Sequence, residues 1–190
     1  ISTEALLETL LNYPLLNDFA AFDVMQRGFE RIKSEQDGFG ELYGRSDLFD
    51  VVTDRYNKMS VHCNDTYPPF VNGTAVASIG FMCLEFMMFQ DEFLNALNRE
   101  QLLQLFKAVS DKLQQKNTLP DQYKDFGKWL SFALLGKIMF KNEFKPFIEF
   151  CRTEPFMEFF VQQVPGYRPS TLDLEKAITT YASQYLAMHG

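Results

Sequence analysis

Apolar residues recur along this chain at intervals of three and four and nowhere in sustained alternation, which predicts helices and no sheet. Leu6, Leu7, Leu10 and Leu11 form the first stripe, with Ser2 or Thr3 placed to cap it. Pro14 suits the first turn of a second helix running to about Lys33, with Leu15, Phe19, Phe22, Met25 and Phe29 on one side. Ser46 is placed to cap a third, with Asp47 in its first turn and Leu48, Val51, Val52, Tyr56 and Met59 inward. A fourth spans Thr74 to Phe89 and breaks near Gln90. Asn98 followed by Gln101 is a capping-box pattern opening NREQLLQLFKAVSDKLQQ, whose stripe is Leu102, Leu105, Phe106, Val109 and Leu113. Tyr123 to Asn142 carries Phe126, Trp129, Leu130, Ala133, Leu134, Ile138 and Met139, enough for a nearly buried helix. Pro146 and Pro155 open two short helices, with breaks expected at Lys145 and Glu154. Ser170 and Asp173 start a last helix with Leu174, Ile178, Tyr181, Tyr185 and Leu186 inward.

Two stretches between these stripes read as loops. EQDGFGELYGRS holds Gly38, Gly40 and Gly44, without the preceding strand or the GKS/T ending of a phosphate loop. HCNDTYPPFVNG, stiffened by Pro68 and Pro69, carries Tyr67 and Phe70 as a candidate recognition surface, although a loop folded back onto the core is the simpler expectation. The fold class is therefore all-α: one domain over 1–190, an irregular bundle of about eight or nine helices. A short α-solenoid is the alternative, although no fixed-period repeat is visible.

Composition sharpens this picture at one place. Twenty Phe and eight Met against one Trp make an aromatic, sulfur-rich core. They concentrate in FMCLEFMMFQDEFL, Phe81 to Leu94, where Glu85 is the lone charge of the apolar half. The run from Phe70 has about the length of a membrane span. Its central carboxylate would cost a few kcal/mol in lipid, and acidic flanks without Lys or Arg anchors argue against one. A central core helix fits better, with Met82, Glu85 and Met88 as candidates for an apolar or partner-binding groove. A buried Glu85 needs an ion pair, a hydrogen bond or a proton; a narrow polar window around it is the simpler expectation.

Charge and candidate chemistry mostly exclude. A net charge of -7 and a pI near 4.9 argue against a nucleic-acid partner. The spread Lys124, Lys128, Lys137, Lys141 and Lys145 reads as the wet side of helices. Cys63, Cys83 and Cys151 form no CxxC, and the latter two sit in apolar helical context as small buried hydrophobes. His62 adjoins Cys63, but sequence neighbours point apart, and His189 lies near the chain end. No HExxH, GxSxG or SxxK pattern occurs, and carboxylate pairs such as Asp91-Glu92 sit at helix starts. No residue set implies a metal, a cofactor or a catalytic group. Asn64-Asp65-Thr66 and Asn72-Gly73-Thr74 match the glycosylation triplet, as chance often allows. A chain opening on Ile1 is expected to follow a removed leader or to begin inside a longer precursor.

RSDLFDVVTDRYNKM, a variable loop, and then FMCLEFMMFQDEFLNALNREQLLQLFKAVSDKLQQK resemble uncharacterised all-helical proteins of Bacteroidetes. The shared pattern is a capped helix ending in Tyr-x-x-Met, an apolar helix ending near Gln-Asp and a Leu-rich helix, within residues 45 to 150. Many of those proteins look like exported lipoproteins. The resemblance implies an all-α fold and a periplasmic or envelope location, and it carries over no catalytic residue. The expected function is a non-enzymatic helical module that contacts a protein or an apolar small molecule. The alternatives are a carboxylate-dependent enzyme with Glu85 in a cleft, and a cytoplasmic helical adaptor.

Overall fold

A computed structural model describes residues 1–11, 25–59, 61, 79–118, 121–162 and 168–189, with the side chains of 25–26, 79–82, 121–127 and 162 left aside. Every regular element among these residues is helical, as the 3.6-residue periodicity requires, and no strand is present among them. Tyr67, Phe70, Pro14 and His62 lie outside the described residues. The all-α chain gathers its contacts into two compact units, Ile1–Phe93 and Leu94–Gly190.

In the first unit, α1 (Thr3–Leu11) buries Leu6, Leu7, Leu10 and Leu11, and Ser2 Oγ accepts from the Ala5 amide at 3.2 Å. It packs against α3 (Asp37–Tyr43) and α4 (Leu48–Lys58), while α2 (Met25–Glu35) packs on α3. The glycine-rich stretch expected as a loop is thus a helix. Phe39 and Leu42 are fully buried, and a Cβ on Gly38 would stand 2.8 Å from Leu6 Cδ1. Glycine here lets α3 approach α1, so tertiary contact overrides its poor helix propensity. Phe49 rather than Val51 completes the buried face of α4. Asp47, not Ser46, stands at its N-cap, and Thr3 Oγ1 donates to Asp47 Oδ1 at 2.6 Å.

Helix α5 (Ile79–Phe89) packs on α1 and α4, and its end shows why the chain breaks at Gln90. A buried helix terminus must find partners for its orphan carbonyls. Gln90 Nε2 donates to the Phe86 carbonyl at 2.9 Å, and Tyr43 Oη donates to the Met87 carbonyl at 2.8 Å. The short helix α6 (Asp91–Leu94) follows, with Glu92 held by Lys33 Nζ at 2.6 Å.

The second unit is organised around α8 (Asp121–Lys141), against which α7 (Arg99–Lys116), α9 (Lys145–Thr153) and α10 (Thr171–His189) pack. The expected capping box is formed: Asn98 Oδ1 accepts from the Gln101 amide at 2.9 Å, and Gln101 Oε1 from the Asn98 amide at 3.0 Å. Residues 129 to 139 of α8 are buried on all sides. That includes Lys137, which is fully buried and so departs from the wet-side expectation. Lys116 is fully buried too, on the continuation of the α7 stripe, where its Nζ donates to Ser131 Oγ at 2.7 Å.

Gly136 marks the closest approach in this unit. A Cβ there would stand 2.5 Å from Phe160 Cζ and 3.0 Å from Ile178 Cδ1. We expect Gly136→Ala to lower stability by about 1–3 kcal/mol despite alanine's better helix propensity, because ring atoms cannot yield as a leucine tip can. Gly38→Ala, which meets only the tip of Leu6, should be close to neutral. Urea midpoints of the two variants check this, and a Gly136→Ala protein as stable as the parent would refute it.

Candidate functional site

Glu85 is the residue the sequence isolates, and the structure closes it off. It is fully buried on α5, where Tyr56 Oη donates to Glu85 Oε1 at 2.7 Å. The narrow polar window expected around it is absent, because α4 places its inward tyrosine directly over the carboxylate. Burial, reinforced by the charge and hydrogen bond of Glu85, holds the Tyr56 hydroxyl well above the ordinary tyrosine range. Met88 is also fully buried, so Glu85 and Met88 belong to the core and line no groove open to solvent. Met82 lies on the same helix, with its side chain outside the described residues.

Other reactive groups are likewise taken up by packing. Cys83 and Cys151 are buried free thiols, each pushed up to about 12 by burial, which leaves them protonated and inert at neutral pH. The His189 ring packs 4.8 Å from that of Tyr185 and 6.4 Å from that of Phe144. Tyr185 in turn accepts from Asn142 Nδ2 at 2.6 Å. Among the described residues no group of His, Cys, Asp and Glu could hold a metal ion.

An open concavity lies elsewhere, on the second unit. Helix α9 begins with Pro146 in its first turn and ends at Thr153; Glu154, ahead of Pro155, is extended at φ -127° and ψ 160°. That corner carries Pro155 and Phe156 across from α10 before a π-helical turn at Glu158–Gln162. On α10, Asp173, Lys176, Ala177, Thr180 and Tyr181 fall at the spacing of a single helical stripe and form the opposite wall. The cleft between them has a volume of about 380 Å³.

Its floor is aromatic. The rings of Phe150 and Tyr181 stand 5.3 Å apart, and those of Phe150 and Phe156 5.6 Å. Phe147 backs them, 5.7 Å from Tyr181 and 5.7 Å from Phe160, so the floor is continuous with the core and rigid. Trp129 Nε1 donates to the Pro169 carbonyl at 2.7 Å, and the Arg168 guanidinium covers the indole at 4.2 Å, fixing the approach to α10. The rim is polar: Glu154, Asp173, Lys176 and Thr180 are exposed, and none of the three charged side chains forms an ion pair. Such a lining binds by shape and apolar contact and orients by a few polar groups.

Nothing in the residue pattern anticipates this cleft. Tyr181 reads simply as an inward residue, and Phe150 and Phe156 as members of two short helices. Only the fold of α9 against α10 brings them together. No family model, curated protein or solved structure matches the chain.

Proposed function

We propose that this chain is a non-enzymatic helical module of the bacterial cell envelope that binds a small apolar or aromatic group in the α9–α10 cleft. The observation that carries the reading is the floor of Phe150, Phe156 and Tyr181 under an exposed polar rim whose charged side chains form no ion pair among the described residues. Its volume of about 380 Å³ suits one ring-sized group. The fate of the reactive side chains supports the same reading: Glu85 serves Tyr56, and the Cys83 and Cys151 thiols are sealed. The full burial of Glu85 favours this reading over a carboxylate-dependent enzyme. The envelope location rests on the helix pattern of residues 45 to 150. No helix among the described residues is long and apolar enough to cross a membrane.

Benzyl alcohol titrated into isotopically labelled protein should give saturable shifts at the Ala177 methyl group and at the Phe150 and Tyr181 rings. Thr180→Trp, which fills the cleft from an exposed position, should abolish them while leaving the rest of the spectrum unchanged. Absence of saturable shifts at the solubility limit, or shifts that persist in the variant, would overturn the proposal.

A further inference from the structure

The cleft's electrostatics are more specific than its shape. Glu154 caps the C-terminal end of α9, where the helix carbonyls already carry partial negative charge. An acidic side chain is misplaced there for the stability of the helix. No lysine or arginine pairs with it. Asp173, in the first turn of α10, adds a second carboxylate to the same lining. Lys176 is the one cation of the lining and bridges neither acid. Beneath this rim lie the rings of Phe150, Phe156 and Tyr181, and an aromatic π-system attracts positive charge. Aromatic rings and two carboxylates against one lysine are thus gathered at one concavity, and on balance they favour a positively charged ligand.

We propose that the cleft takes an organic cation whose charge is carried on an alkylated nitrogen, with the methyl groups against the Phe150, Phe156 and Tyr181 rings and Glu154 and Asp173 supplying the counter-charge. An alkylated ammonium is the species for which an aromatic floor and a carboxylate rim act together. A bare metal ion would find no ligand set, and an anion would meet the rim carboxylates. The assignment rests on the cleft being the binding site and specifies what enters it.

The test uses the full chain and a matched pair of probes, choline and its uncharged isostere 3,3-dimethyl-1-butanol. Followed at the Ala177 methyl and Tyr181 ring signals, choline should bind about ten-fold more tightly than the neutral alcohol. Glu154→Gln, at an exposed position, should weaken choline several-fold and leave the alcohol unchanged. Equal affinities would overturn the cation assignment and leave the apolar binding site standing. Binding of neither probe, together with none of benzyl alcohol, would overturn both. Choline binding unaffected by Glu154→Gln and Asp173→Asn would overturn the roles given to the two carboxylates.

Discussion

Between pH 8 and pH 11 the protein is expected to lose several kcal/mol of folding stability, in both of its compact units. The thiols of Cys83 in the first unit and Cys151 in the second are pushed up to about 12 by burial, against about 8.5–9 for an unfolded cysteine. A group whose folded pKa is raised favours the native state fully below its unfolded pKa. That advantage is lost as the pH climbs from about 9 towards 12, because only the unfolded chain can release the proton. At pH 11 the arithmetic is about 2–3 kcal/mol for each thiol, a large share of the 5–15 kcal/mol typical of a folded domain. Tyr56 and Tyr43 act in the same sense above pH 10. Burial raises both well above the ordinary range, with Glu85 adding to the first and Glu92 to the second. Denaturant midpoints measured in reductant at successive pH values read the effect directly. Cys83→Ala and Cys151→Ala should be less stable than the parent at pH 8 and lose less between pH 9 and 11. Parallel pH profiles for parent and variants would refute the account.

The second large effect concerns the Tyr56–Glu85 bond. Tyr56→Phe removes the donor and leaves a fully buried carboxylate oxygen without it, a loss of about 1.5–3 kcal/mol. Glu85→Leu removes the carboxylate that accepts from the buried tyrosine hydroxyl and costs about 1–3 kcal/mol. The double variant removes both polar ends together and should cost much less than the sum, because an apolar pair in the same volume needs no desolvation to be repaid. A coupling energy of about 2 kcal/mol from the four proteins is the expected result. Strict additivity would show that the two side chains do not depend on one another.

Much of the helical framework was legible because it follows from local rules. The α1 stripe, the Asn98–Gln101 capping box, and Ser170 at the start of α10, whose Oγ accepts from the Asp173 amide at 3.1 Å, all depend on residues close to each other along the chain. What escaped depends on distant partners. Gly38 and Gly40 lie in a helix because Leu6, far upstream, comes close to Gly38. Lys116 is buried because Ser131 of another helix meets it. One missed contact did leave a trace: Tyr56 falls on the inward stripe of α4, and an inward tyrosine requires an acceptor for its hydroxyl. Glu85, the one charge in the apolar segment, was the natural candidate. The cleft left no such trace, since its rings come from two separated segments with ordinary helical spacing.

Helix α5 has a consequence of a different kind. From Cys83 to Phe89 every side chain is buried, so these described turns have no wet face and water gives them no preferred rotation about the helix axis. Leucine, methionine and phenylalanine exchange places in a core at modest cost. Directional contacts onto α5 from other helices include Tyr56 on Glu85 and Tyr43 on the Met87 carbonyl. They act as a keyway. The Glu85 carboxylate, sealed beneath Tyr56, favours one azimuth for a helix that grease alone would leave free to turn.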